Sequence, residues 1–458
     1  MAKNKKNVLI IGSGGRDFHN FNTYYRGNDD YNVVGFTAGT QIPGIVDRKY
    51  PPELAGDLYP DGIPVYWEGD IPKLVKELAV DDCAFSYSDV SFQHVLTLGA
   101  ISQGAGANYV LLGPDATQLK STKPVVAVGA VRTGAGKSQT SRTIIEALMA
   151  RGLKVVAVRH PMPYGDLNAQ KVMRFAEIAD LEKHNCTIEE MEEFEPHVTR
   201  GNVIYCGVDY EAILREAEND PAGCDVILWD GGNNDFPFFK PDLMVTVVDP
   251  LRPGHELSYW PGAVTLRLAD VVVINKIDSA TPEEIATVRK NIEAVVPNAT
   301  VIDAASPLKV DDPSVIKGKR VLVIEDGPTV THGDMTTGAA KVAATKFGAS
   351  ELVDPRPFLK GSLVGMFELY PHVTDMLPAE GYGGPMLKDM EDTVNAVDCD
   401  AVIVGTPIDL ARIINIEKPS TRVYYDLQEI GRPNFTDVIG EFVSKQGLAE
   451  KSLVGASA

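Results

Sequence analysis

Cysteine is scarce and scattered in this chain of 458 residues: Cys83, Cys186, Cys206, Cys224 and Cys399 are odd in number, lie far apart and form no Cys-x-x-Cys pair. That pattern excludes a zinc ribbon and a disulfide framework and predicts reduced structural thiols. Long apolar runs are missing as well. No stretch approaches the ~18 uninterrupted apolar residues of a membrane span, and Met1 to Lys6 leads into a strand rather than into the apolar core of a signal peptide. A cytoplasmic protein without a membrane partner is therefore expected. Positive charge is in deficit, with 43 Lys and Arg against 63 Asp and Glu and a net charge of −20. Such a field repels nucleic acid and leaves any anionic substrate to a local basic pocket. What remains, 44% hydrophobic and 23% charged, is a globular composition, and the length suggests about three domains at ~150 residues each.

The most informative stretch runs from Lys123 to Arg142. Val125, Val126, Ala127 and Val128 form a short apolar strand, a glycine-rich turn follows, and Ile144, Ile145, Leu148 and Met149 continue with a helical period. Strand, turn and helix are the order that a phosphate-binding loop requires. Gly134, Ala135 and Gly136 let backbone N–H groups converge on a phosphate, Lys137 brings a point charge to the outer phosphates, and the Ser138 hydroxyl, followed by Gln139, suits Mg2+. Val131 replaces the first glycine, and Arg132 stands where one branch of these ATPases and GTPases carries a second lysine. Lys137 and Arg132 are accordingly candidate catalytic cations.

Ahead of this core, the apolar strand Asn7 to Ile11 enters a turn with Gly12, Gly14, Gly15, Arg16 and Asp17, and Tyr31 to Phe36 follows as a second strand. The segment reads as a Rossmann-like domain over residues 1–122. Asp17 in place of a third glycine, and Thr37 in place of an acidic residue, weaken a dinucleotide reading. The turn instead suits another anion, held by N–H groups and Arg16. After the loop, strands are expected at Val155–Arg159, Val203–Cys206, Val226–Trp229, Leu243–Val248, Val271–Asn275, Thr300–Ile302 and Val321–Glu325, alternating with helices in an α/β core over 123–347. An α/β region over 348–458 completes the chain, with the glycine- and proline-rich Leu377–Lys388 as a loop able to close a site. The acidic run Ala176–Glu195 is expected to be a helix with a solvated face.

Ligands of a parallel sheet gather beyond the carboxyl ends of its strands. One strand ends in Arg159 and His160, with Asp166 shortly after: a bidentate phosphate binder, a titratable base and a carboxylate able to orient a nucleophile or reach the metal. Another ends at Asp230, placed to bind magnesium, with Gly231 and Gly232 behind it. A third ends in Asn275, Lys276, Ile277 and Asp278, the spacing with which GTP-binding proteins read guanine. Related ATPases also keep an Asn-Lys there, so ATP and GTP both stand. Val321 to Ile324 is followed by Glu325, Thr329, Thr331 and His332, a mixture that a plain turn would not need and that suggests a substrate site.

The blocks 131–139, 159–166, 230–235 and 325–335 resemble those of the cyclic 2,3-diphosphoglycerate synthetase family, over nearly the whole chain. The resemblance implies a Rossmann-like N-terminal domain, a core similar to dethiobiotin synthetase and nickel-chaperone GTPases, and a homodimer. It implies a ligase that uses ATP and magnesium to phosphorylate a small anionic acid, 2,3-diphosphoglycerate in the best known member, and to cyclise it. Arg132, Lys137, Arg159 and His160 are the matched cations. A regulatory or metallochaperone-like GTPase with no small-molecule acceptor is the alternative expectation.

Overall fold

Apolar segments that end in glycine or acidic turns assemble into three large sheets, beside a two-stranded pairing of Val90–Ser91 with Tyr259–Trp260, in this computed structural model, which describes residues 5–39, 48–160, 165–232, 235–331, 335–379 and 384–449. The first sheet has six strands in the order Lys49–Tyr50, Ile63–Trp67, Tyr31–Ala38, Lys6–Ile11, Asp82–Phe85 and Asn108–Leu111. All its pairs are parallel except that of the short outer strand Lys49–Tyr50. Apolar side chains cover both faces, Val8 and Ile10 on one and Leu9 and Ile11 on the other, as the alternation of a strand dictates.

The central sheet has nine strands, ordered Val172–Phe175, Val203–Gly207, Val155–Arg159, Val226–Asp230, Val125–Ala130, Leu243–Val248, Val271–Ile274, Thr300–Ala305 and Gln428–Ile430. Only the two outermost pairings are antiparallel. The Val125–Ala130 strand is fully buried in the middle, so the loop that follows it is gripped from both sides. The chain is thus an α/β protein with a Rossmann-like first unit, a mostly parallel phosphate-loop core and a C-terminal α/β layer.

The expected boundary at residues 347/348 differs from the division into sheets. Arg320–Asp326, read from sequence as a core strand, is the centre of the third sheet, where it pairs in parallel with Ala401–Val404, Glu351–Leu352 and Leu377–Ala379. Conversely, Gln428–Ile430 extends the central sheet. The Phe435–Lys445 helix buries Phe435, Ile439 and Phe442 in the central core beside Ile144 and Leu148. Leu377–Lys388 is not one loop: its start is a buried strand and Gly384–Ala396 is helical.

The acidic helix departs most from expectation. It starts at a capping box, Thr187 Oγ1 accepting from Glu190 N at 3.2 Å while Glu190 Oε2 accepts from Thr187 N at 2.8 Å. Its apolar stripe bridges two cores, Ile188 joining that of the third sheet and Phe194 and Val198 that of the central sheet. Glu189, Glu190, Glu192 and Glu195 are consequently buried rather than solvated. Two of them find partners in the segment after the Ala401–Val404 strand of the third sheet: Thr406 Oγ1 donates to Glu192 Oε1, and Arg412 Nη2 to Glu195 Oε2 at 2.8 Å.

Candidate active site

The phosphate loop is built on two left-handed glycines, Gly134 at φ +78° and Gly136 at φ +108°, a conformation that costs glycine little. A Cβ on Gly136 would stand 2.0 Å from Asn275 Nδ2, so no side chain fits. Asn275 Nδ2 donates to Ala135 O at 2.9 Å and Lys276 Nζ to Gly134 O at 2.6 Å. Two residues of the Asn-Lys-x-Asp element therefore clamp the loop itself, and base reading is left to Asp278. That residue is exposed, its Oδ1 accepting from Ser306 N at 3.0 Å. Ser306 also donates to Gln139 Oε1 at 3.2 Å, tying the same strand end to the first helical turn.

Lys137 begins the helix, and its Nζ donates to Asp230 Oδ1 at 2.7 Å. Asp230 lies beside Val128 on one neighbouring strand and Arg159 on the other, which brings the carboxylate under the loop. It is fully buried, accepting also from Ser141 Oγ at 2.6 Å and His197 Nε2 at 3.2 Å. Burial pushes its carboxyl up, but the charges of Lys137 and Arg159 and the His197 hydrogen bond outweigh this and hold it well below the usual carboxylate range. Burial and the Arg159 charge lower the Lys137 ammonium against the pull of Asp230.

Arg159 faces the same pocket, paired with Glu193 and donating to Gly231 O at 2.9 Å. Glu193 and His197 lie four apart on the acidic helix, hence on one face, and reach Arg159 and Asp230 respectively. His160, the residue just after the strand, points the other way. Its Nε2 is 2.6 Å from Asp235 Oδ2, and Asp235 Oδ1 accepts from Arg16 Nε at 2.5 Å. His160 thus sits where the first sheet meets the core, a Cβ on Gly15 falling 2.9 Å from its Cε1. The N-terminal turn does not offer its N–H groups to an anion: Asp17 Oδ1 accepts from Gly14, Gly15 and Phe18 N at 2.8, 3.0 and 2.7 Å.

Two further expected residues make other contacts, although Arg132 also lines the phosphate-loop pocket. Arg132 is buried with its guanidinium committed to Asp89 Oδ1 at 2.7 Å and His255 Nδ1 at 2.8 Å, over the Tyr259 ring. It anchors the loop to the first unit. Asp166 is exposed and closes a turn, accepting from Asn168 N at 2.9 Å.

The opposite wall comes from the third sheet. Glu325 is buried at the start of the Ala339–Lys346 helix, accepting from Lys341 N at 2.7 Å and Ala340 N at 3.1 Å. Burial raises it to about 7. Asp326 rises to about 6, first through burial and then through the Glu193 charge. The Thr329 methyl stands 3.3 Å from where a Gly134 Cβ would be, so this loop touches the phosphate loop. Thr331 turns inward, its Oγ1 donating to Gly327 O at 2.8 Å. His332 lies outside the described residues. The cavity between these walls measures about 250 Å3 and is lined by Lys137, Ser138, the Arg159–Glu193 pair, Glu325 and Asp326. It can hold phosphates on one side and a cationic or neutral polar group on the other. Sequence reasoning did not find Glu193, His197 or the role of Asp326; the i, i+4 spacing of Glu193 and His197 was the available signal.

No protein-family model matches the chain. The arginine synthetase ArcE of Thermococcus kodakarensis is 59% identical over 440 residues, spanning 96% of this chain and 97% of that protein. A cyclic 2,3-diphosphoglycerate synthetase of the same organism is 24% identical over 275 residues, 52% of this chain and 60% of that protein. Among solved structures, LpxK from Aquifex aeolicus in complex with ATP aligns with a TM-score of 0.41 at 11% identity, covering 72% of this chain and 90% of that one.

Proposed function

The chain belongs to the family of the arginine synthetase ArcE and the cyclic 2,3-diphosphoglycerate synthetases, and from that membership we propose that it is a nucleoside-triphosphate-dependent synthetase that forms arginine. The observation that carries this reading is the carboxylate wall of Glu193, Glu325 and Asp326 facing the phosphate loop. Glu193 is paired with Arg159 and Glu325 is raised to about 7, which leaves Asp326 as the carboxylate beside which a neutral ureido group or a nitrogen nucleophile gaining positive charge is stabilised. The family resemblance supports a homodimer in the cytoplasm, and no helix among the described residues is long and apolar enough to cross a membrane.

The chemistry follows from the product. Arginine differs from its ureido counterpart, citrulline, by nitrogen in place of one oxygen, and that oxygen must be made a leaving group. The ureido oxygen attacks the terminal phosphorus of ATP or GTP and the nucleoside diphosphate leaves. Ammonia then adds to the ureido carbon, loses a proton, and phosphate departs with the original oxygen. Lys137 neutralises charge on the transferring group. Asp326, raised to about 6, has the basicity to take the proton near neutral pH. Arg159, pinned by Glu193, orients the pocket between the two walls, and Asp230 fixes Lys137.

Mg2+ fits this donor set. The Ser138 hydroxyl lines the cavity and would hold an ion whose remaining ligands are phosphate oxygens and water, while Asp230, ionised but already accepting from Lys137, Ser141 and His197, would reach it through water. When bound, magnesium neutralises the outer phosphates. The reading is tested by assaying arginine formation from citrulline, ammonium and ATP or GTP with magnesium. Arginine should appear in a one-to-one ratio with phosphate. Phosphate release stimulated by 2,3-diphosphoglycerate would return the family's other chemistry, and slow GTP hydrolysis indifferent to every acceptor would support a regulatory GTPase.

A further inference from the structure

Behind the phosphate loop, between the Lys137–Met149 helix and the end of the Ile188–Val198 helix, lies a second cavity of about 290 Å3 whose walls carry Arg142, Glu146, His197, Arg200 and Asn202. Arg142 Nε and Asn202 Oδ1 are buried there with no hydrogen-bond partner among the described residues. Leaving a guanidinium N–H and an amide oxygen unmet inside a protein is costly, and a ligand can remove that cost. Arg200, at the rim and 40% exposed, holds Glu146 at 3.4 Å and Asp426 at 3.9 Å, the lengths of loose surface pairs. Its Nη1 also donates to Pro196 O at 3.1 Å, so Nε and Nη2, the partners in the loose pairs, are the groups that can turn toward a ligand with little loss.

We infer that this cavity binds a small oxyanion that also carries a hydrogen-bond donor. The two guanidinium groups call for the negative oxygens. The unmet Asn202 oxygen calls for a donor, which a plain carboxylate lacks. Hydrogen phosphate supplies its P–OH, and the zwitterion of an α-amino acid supplies an ammonium group beside its carboxylate, so both sources share the required chemistry.

The site lies one residue from Asp230, the carboxylate that fixes Lys137. Asn202 Nδ2 stands 3.4 Å from His197 Nδ1; an amide N–H donating there makes Nδ1 the acceptor and leaves Nε2–H to donate to Asp230 at 3.2 Å. An occupant that engages Asn202 therefore acts on the residue that orients Asp230, from outside the phosphate-loop pocket.

The test is a calorimetric titration of the full chain, its phosphate-loop pocket first saturated with a non-hydrolysable nucleoside triphosphate and magnesium. Inorganic phosphate, L-arginine and acetate are the probes. Phosphate or L-arginine should saturate a single site per chain, with acetate at least tenfold weaker. Arg200→Gln should weaken that binding tenfold or more, Arg200→Lys should restore part of it, and neither should change basal turnover. The arm that responds to Arg200 identifies the source of the oxyanion. No saturation by either probe at about 10 mM, acetate binding as tightly as they do, or binding indifferent to Arg200→Gln would each overturn the assignment.

Discussion

Replacing Glu193 by Gln separates the electrostatics of the pocket from its packing, because the side chain keeps its shape and loses its charge. The residue touches the mechanism through two partners. Its carboxylate pairs with the buried Arg159, and its charge is, after burial, the largest influence raising Asp326 to about 6. Breaking a buried pair costs about 3–5 kcal/mol in general. Arg159 retains Gly231 O at 2.9 Å and Asp230 Oδ2 at 3.4 Å, so the expected loss is no more than about 3 kcal/mol and the chain stays folded. Without the neighbouring charge the ionised form of Asp326 becomes easier to reach, and its pKa falls. If Asp326 takes the proton, wild-type kcat/KM at pH 5 is roughly a tenth of its plateau. The acid limb of Glu193→Gln then moves to lower pH, so the variant loses less activity between pH 7 and pH 5 than the wild type does. A pH–rate profile of arginine formation at saturating nucleotide reads this directly. An acid limb that stays in place or moves upward would refute the assignment of Asp326 as the base.

Lys137→Ala should lower kcat about a thousandfold, since several kcal/mol of transition-state charge stabilisation are lost; near wild-type turnover would show that the loop does not bind the transferring phosphate. Asp278→Asn tests base identity: if Asp278 reads guanine, GTP binding weakens at least tenfold and xanthosine triphosphate gains, while ATP binding stays unchanged. Equal affinities before and after for every nucleotide would assign Asn275 and Lys276 to holding the loop and nothing more. Glu325 carries a stability signature. Its folded pKa of about 7 lies above the ordinary 4.5, so the protonated form is favoured by folding; the contribution is complete below pH 4.5 and is lost as pH rises through 7, about 3 kcal/mol in all. Chemical denaturation of Glu325→Gln should show a shallower decline of stability from pH 5 to pH 8 than the wild type, and identical slopes would contradict the buried carboxyl.

The parts of the site written in contiguous residues were legible in the sequence. The phosphate loop needs only a strand, a glycine turn and a helix start, and Asp230 stands at the end of an unbroken apolar strand; both are local patterns. Orientation was not legible. Arg159 ends its strand and His160 follows directly, so the two project to opposite sides, one toward the phosphate-loop pocket and the other toward Asp235 and the first sheet. Arg132 looked like a signature cation, yet its partner Asp89 comes from the first unit, beyond the reach of any local pattern. The acidic helix misled for a physical reason. A run of glutamates reads as solvated unless a second core covers it, and here Ile188 belongs to the third sheet while Phe194 belongs to the central one. Only the long-range docking of those two layers turns Glu193 and His197 into parts of the pocket and brings Glu325 and Asp326 across from Lys137.

The central claim is that an acceptor oxygen attacks the terminal phosphorus and leaves as phosphate. Citrulline labelled with oxygen-18 in its ureido group, turned over with ammonium, magnesium and the preferred nucleoside triphosphate, tests it most directly by mass spectrometry of the phosphate released. The account predicts one labelled oxygen in each phosphate formed with arginine. Arginine formed with unlabelled phosphate, the label passing into water, would contradict it.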